Sequence, residues 1–201
     1  MRVIALLHAI ESSPIMGFIE AVPAYSSLTV YFSDHVSGAA VRSWLTDISA
    51  QFSNTIDSSI TTDGKQVIIP VCYDPSLGLD LPWVAAHLNL SIEAIIHLHS
   101  SIQYRVYMIG FIPGFPYMGI LPTALEVPRK QTPSMKIPAG SVAIAGKQTG
   151  IYPAEVPGGW QVIGRTPLKM FDPCKSPCSF LNAGDLVQFK PITLEAFNQY
   201  T

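Results

Sequence analysis

Charge is scarce in this sequence. Asp, Glu, Lys and Arg make up 13% of its 201 residues, against a usual share of about 25%. The net charge is −2 and the isoelectric point about 6.2. With no basic stripe to neutralise phosphates, nucleic acid and an anionic membrane surface are excluded as partners. Cysteine is scarce too. Cys72, Cys174 and Cys178 are an odd number with no second paired motif, which fits a reducing, cytoplasmic setting and not a disulfide framework. Cys174-x-x-x-Cys178 lacks the further ligands that zinc requires, so no metal is expected. Long apolar runs are also missing. The opening "MRVIALLHAIESSP" is broken by His8 and Glu11 and has no A-x-A site after it, unlike a secretory leader. No stretch reaches the roughly 20 residues of a membrane span. Nor is there a Walker A loop, a G-x-S-x-G elbow or a cluster of metal ligands.

Apolar residues are abundant, at 48% with a mean hydropathy of +0.31. Such a composition supports either an apolar surface facing a partner or a well-filled core under a polar coat. Val3, Ile4, Leu7 and Ile10 recur at helical spacing, as do Val41, Trp44, Leu45, Ile48 and Phe52. "GFIEAVPA" (17–24), "SLTVYF" (27–32) and "QVIIPVCY" (66–73) are predicted strands, with a polar loop at 53–65. Together these describe a small α+β domain over residues 1–72. The texture then changes: 11 of 17 prolines and 9 of 14 glycines fall between residues 110 and 177. Short apolar runs such as "YRVYMIGF", "SVAIAG", "WQVIG" and "LVQF" alternate with Pro/Gly turns, so residues 73–201 are predicted to form a β-barrel or sandwich of short strands.

Between the two lies "DLPWVAAHLNLSIEAIIHLHS" (80–100). Asp80 and Ser91 are placed to cap two short helices, with Pro82 in the first turn of one. The pair resembles a DNA-reading helix-turn-helix, but its second helix carries Glu93 and no Lys or Arg, so a core-forming hairpin is expected instead. His97 and His99, two apart, point to different faces and cannot share a metal. His99, at the helix exit, is either a satisfied structural histidine or a site residue.

"GFIPGFPYMG" (110–119) follows one of the apolar runs. Its glycines permit unusual backbone, while Pro113 and Pro116 stiffen it and remove donors. Phe111, Phe115 and Tyr117 then project from a rigid frame. The segment either packs its own rings or presents a preorganised wall to a ligand or partner. A second such region, "IPAGSVAIAGKQTGIYPAEVPGGWQVIGRTPLKMFD" (137–172), gathers Lys147, Gln148, Thr149 and Arg165 among apolar residues. A few polar groups among apolar ones is the composition of a small-molecule site.

These two stretches, with "LNAGDLVQF" (181–189), resemble the allophanate hydrolase subunit 1 family, over about residues 3–192. The resemblance implies a cyclophilin-like β-barrel after the α+β N-terminal domain. It implies a B-type subunit of a prokaryotic 5-oxoprolinase. With a related second subunit of C type and a third hydrolase component, it would use ATP to open 5-oxoproline to glutamate. A branch of the family inhibits a sensor histidine kinase, and the family is similar to allophanate hydrolase and the carboxyltransferase part of urea carboxylase, a biotin enzyme. The enzyme-subunit role is the expectation. Lys147, Gln148 and Arg165 are then candidates to stabilise developing charge, and His99 and Tyr117 to move or orient protons. The expected substrate- or partner-binding residues are Phe111, Pro113, Gly114, Phe115, Pro116, Thr149, Gly150, Tyr152, Pro157, Gly158, Gly159 and Trp160. Four features depart from the family pattern: Ile120 stands where glycine is common, Ser134 where Arg is frequent, and Val156 where Ser is frequent, while Met1 directly precedes the first helix.

Overall fold

The computed structural model of the protein describes residues 2–55 and 64–200. It divides into two compact units, Met1–Asp63 and Gly64–Thr201. The first contains α1 (Arg2–Ser12), the antiparallel pair β1 (Phe18–Pro23) and β2 (Leu28–Phe32), and α2 (Gly38–Thr55). Ile4, Leu7 and Ile10 of the expected helical face are buried. Trp44 and Ile48 of α2 meet Ile10 in one cluster, with Phe18 and Phe32 edge-on or tilted against the Trp44 ring. The Trp44 indole N–H donates to the Ser13 carbonyl at 2.8 Å. Residues 53–55 of the expected polar loop continue α2, and its 56–63 portion lies outside the described residues.

The second unit opens with β3 (Gln66–Cys72) and the helices α3 (Leu81–Leu88) and α4 (Ile92–Ser100). Then come β4 (Gln103–Ile109), β5 (Pro116–Gly119), β6 (Ser134–Ile137), β7 (Ser141–Ala145), β8 (Gln148–Ile151), β9 (Val156–Gly158), β10 (Gln161–Arg165), β11 (Leu186–Ile192) and a short α5 (Leu194–Asn198). Seven strands close into a mixed barrel in the order β10-β3-β11-β4-β5-β8-β7, and β6 pairs with β9 as a separate two-stranded ribbon. Here the expected boundary at 72/73 moves to Asp63/Gly64. The strand at 66–72 runs parallel to β11 and touches β10, so it is part of the barrel wall.

The helical hairpin forms as expected and packs on the barrel through β10 and β11. Ser91 caps α4 by accepting from the Ala94 N–H at 3.1 Å, and Asn89 closes α3 in a left-handed conformation, φ 52°. Asp80 occupies the N-cap position of α3 but makes no cap hydrogen bond. Its Oδ2 accepts instead from the Val162 N–H at 2.7 Å and pairs with Lys130 Nζ at 2.6 Å. A half-buried carboxylate gains more from a cation and an interior amide than from one exposed helix-end donor. No single helix among the described residues is long and apolar enough to cross a membrane.

Strand alternation explains why "SVAIA" reads as a continuous apolar run. All five residues of β7 are buried. Val142 and Ile144 join one cluster with Ile69, Val71, Tyr104, Val106, Met118, Val187 and Phe189. Ala143 and Ala145 point the other way, under Phe115, Tyr152 and Trp160. The small alanines let these large rings approach the sheet.

Candidate functional site

Phe115 is the hub of the second cluster. Its ring makes edge contacts with Phe111 (5.7 Å between centroids), Tyr117 (4.8 Å), Tyr152 (5.1 Å) and Trp160 (5.5 Å). Aromatic pairs at these separations are favourable because a positive edge meets a negative face. The turn carrying Phe111 is held by the Gly110 N–H to the Phe115 carbonyl at 3.1 Å and by the Phe115 N–H to the Ile112 carbonyl at 3.1 Å. Gly114 takes φ 82°, where an added Cβ would lie 2.7 Å from Phe171 Cβ. Phe111 itself has φ 69° and is 60% exposed.

These rings frame a cleft of about 280 Å³. Phe111, Phe115 and Tyr117 come from the first quoted stretch, and Tyr152, Pro157, Gly158, Gly159 and Trp160 from the second. Arg129 and Pro133 complete the lining and were not among the expected residues. The Arg129 guanidinium lies over the Trp160 ring, 5.9 Å from its centroid, a cation–π geometry. Desolvation pushes the Tyr117 phenol up, against the opposing pull of Arg129. It pushes Tyr152 up as well, against a hydrogen bond from the Trp160 backbone. Both phenols therefore stay protonated at neutral pH. Arg129 also borders a neighbouring depression of about 650 Å³ lined by Asp80, Trp83, His87, Lys130 and Gln161 among others. Lys130 is committed there to Asp80, and also donates to Ser134 Oγ at 2.8 Å.

The stretches 110–119 and 146–153 do lie side by side, since β5 pairs with β8 through Tyr117↔Gly150, Met118↔Thr149 and Gly119↔Gln148. Their polar residues are nevertheless dispersed. Thr149 pairs with Ile144 and Met118, which belong to the first cluster, so its side chain faces away from the aromatic cleft. Its hydroxyl donates to the Ala143 carbonyl at 3.2 Å. Having one proton, it accepts from His99 Nε2 at 2.9 Å. His99 is therefore the neutral Nε2–H tautomer, and its Nδ1 accepts from the Tyr73 hydroxyl at 2.7 Å. The ring is fully buried, stacked 4.5 Å from Phe189, and burial lowers its pKa from 6.5 to about 3. His99 and Thr149 thus satisfy one another inside the core and do not line the cleft. Gly150 shares the cleft's side of the sheet; an added Cβ would lie 2.7 Å from Phe115 Cζ.

Gln148 is half-buried at the start of β8, outside the cleft lining. Lys147 is exposed in the β7–β8 turn, with its Nζ 3.9 Å from Glu126. The Arg165 Nε–H donates to the Ala139 carbonyl at 2.7 Å. Pro113 is exposed in the turn, Gly114 and Pro116 are buried under it, and none of the three lines the cleft. Among the described residues no three His, Cys, Asp or Glu side chains are placed to hold a metal.

The family described as "Carboxyltransferase domain, subdomain C and D" matches residues 1–181. The chain is 41% identical over 211 residues to the B-type subunit of 5-oxoprolinase from Bacillus subtilis (strain 168), an alignment covering 99% of this chain and 88% of that one. Among solved structures it is similar to the conserved uncharacterized protein PH0987 from Pyrococcus horikoshii (45% identity, TM-score 0.64, covering 98% of this chain and 88% of that one). It is also similar to TTHA0988 (38% identity, TM-score 0.80), where the likeness takes in 95% of this chain but 36% of the other. The chain belongs to the carboxyltransferase subdomain C and D family, in the group of the 5-oxoprolinase B-type subunits and allophanate hydrolase subunit 1.

Proposed function

We propose that this chain is the B-type subunit of an ATP-dependent 5-oxoprolinase, working with a related C-type subunit and a third hydrolase component in the cytoplasm. Its barrel is read as cyclophilin-like. The relatives named as B-type subunits of 5-oxoprolinase carry the reading, since the similarity spans nearly the whole chain. The geometry supports a half-site. The cleft offers stiff aromatic walls and one guanidinium, but its phenols are held protonated and the buried His99 is remote from it. General acid–base chemistry needs a group titrating near the working pH within hydrogen-bond reach of the substrate, and that group is assigned to a companion subunit. The TTHA0988 likeness, confined to 36% of a longer chain, leaves room in one polypeptide for such a companion.

A lactam is a poor electrophile. ATP would phosphorylate the lactam's carbonyl oxygen and leave as ADP; one water would add at that carbon, the ring C–N bond would break to give the free amine and an acyl phosphate, and a second water would release glutamate and inorganic phosphate. Among the described residues Arg129 is the cation that lines the cleft, and Lys130 next to it is held by Asp80. One free guanidinium does not match the several charges of a triphosphate, so the nucleotide is assigned to the companions. Tyr117, Phe111 and Trp160 would hold the ring and exclude water. Co-expression with both companions should give 5-oxoproline- and ATP-dependent glutamate release, with negligible turnover by the purified chain alone. Catalytic turnover by the lone chain, or none by the assembled complex, would overturn the reading.

A further inference from the structure

Arg129 is the unexplained residue of this site. The next residue, Lys130, is paired with Asp80. Arg129 is exposed and makes no hydrogen bond or ion pair among the described residues; it meets only the Trp160 ring and the fields of Tyr117 and Tyr152. Among the described residues no acidic side chain lines the cleft. The cleft therefore carries one uncompensated positive charge against an aromatic wall.

Two further observations point to a ligand. Phe111 keeps a left-handed φ of 69° while 60% exposed. That backbone is disfavoured for any residue with a bulky side chain, and an exposed ring recovers little by burial. Its placement beside the cleft is not accounted for by folding alone. At Gly159 an added Cβ would meet no atom closer than 3.9 Å, at Lys130 O and Pro133 Cγ. The floor there is bare backbone, so a ligand can approach it closely.

We propose that the cleft recognises a small ring compound bearing a single carboxylate, with Arg129 binding the carboxylate and Trp160, Tyr117 and Phe111 enclosing the ring. The charge count decides the ligand class. One free guanidinium matches one carboxylate through two parallel N–H···O bonds, whereas a nucleoside triphosphate would leave several charges unmet. The volume, about 280 Å³, lies below the range of roughly 300–1,000 Å³ usual for drug-sized ligands, and so suits a small metabolite. The Tyr117 phenol makes no protein hydrogen bond among the described residues and remains a donor for a ring carbonyl. Naming 5-oxoproline as the natural compound rests on the proposed function; the preference for a ring carboxylate does not.

The test is calorimetric titration of the purified full-length chain with 5-oxo-L-proline and with 2-pyrrolidinone, the same lactam without the carboxylate. The acid should bind at least tenfold more tightly. Arg129→Gln should bring the ratio close to one, and Arg129→Lys should fall between. Because Arg129 is exposed and gives up only its contact with the Trp160 ring, thermal melts of both variants should stay within a few degrees of the parent. Equal binding of the two lactams, binding of neither, or a preference surviving Arg129→Gln overturns the proposal. Pyrrole-2-carboxylate against pyrrole separates the two readings. If the assembled complex leaves 5-oxoproline intact while this pair shows the Arg129-dependent preference, the site stands and the reaction falls. If the complex opens 5-oxoproline with an unchanged KM in Arg129→Gln, the reaction stands and the site falls.

Discussion

Acid should loosen the barrel through His99, and the size of the effect can be worked from its surroundings. The imidazole is neutral, fixed by the Tyr73 hydroxyl on Nδ1 and by Thr149 Oγ1 on Nε2. The other rings against it are Tyr104 and Phe189, so no carboxylate in contact welcomes a second proton. Tyr73 and Tyr104 are both pushed up by burial and stay neutral throughout the acid range. With the folded pKa lowered to about 3 and the ordinary value 6.5, the unfolded chain binds the extra proton between those limits. Stability from this group is therefore complete above the ordinary pKa and is lost as pH falls towards the folded one. At about pH 5 the unfolded state gains roughly 2 kcal/mol, from the 1.36 kcal/mol carried by each unit. The assay is chemical denaturation at about pH 7.5 and 5, on the parent and on His99→Gln, whose amide can keep both hydrogen bonds without titrating. The parent should lose roughly 2 kcal/mol more than the variant across that interval. Parallel pH dependences would show that His99 is hydrated or charged in the folded barrel, and the tautomer assigned here would be wrong.

Phe111→Gly should relieve about 1 kcal/mol of left-handed strain while giving up one edge contact with Phe115, so the melting temperature should hold or rise while ligand binding weakens; a clear fall would mean that the ring contact outweighs the strain. Phe115→Ala removes the hub of four aromatic contacts and should cost about 3–5 kcal/mol in urea unfolding. Asp80→Ala strands Lys130 and the Val162 N–H and should cost roughly 1.5–3 kcal/mol; a loss under about 0.5 kcal/mol would put the pair in the class of inert surface ion pairs.

The helices and most strands were legible because their signals are local. Apolar spacing marked α1 and α2, and Pro/Gly punctuation marked the short barrel strands. Long-range choices were not legible. The strand at 66–72 followed an α+β pattern, yet its partner in the barrel is β11, far along the chain. Asp80 had every local feature of an N-cap, and its carboxylate went to Val162 and Lys130 from other elements.

The grouping of Lys147, Gln148, Thr149 and Arg165 failed for a reason that the sequence did contain. Neighbours in a strand face opposite ways, so four donors close together in sequence need not share a side. Read with that period, "QTGIY" puts Thr149 and Ile151 on one face and Gly150 and Tyr152 on the other. That is the division found: Thr149 lies inside with His99, and Tyr152 lies under the cleft. The buried threonine then needs no ligand, because a buried hydroxyl is costly only while unpaired, and His99 with Ala143 pairs it completely. Arg129 had no comparable local signal. It reaches Trp160 from the segment between the bridge Val127↔Gly146 and the ribbon of β6 and β9, a meeting set by pairings distant in sequence. The residue best suited to bind a substrate anion is thus one the motifs never singled out. The residue the motifs favoured for proton transfer, His99, is the one most firmly built into the core.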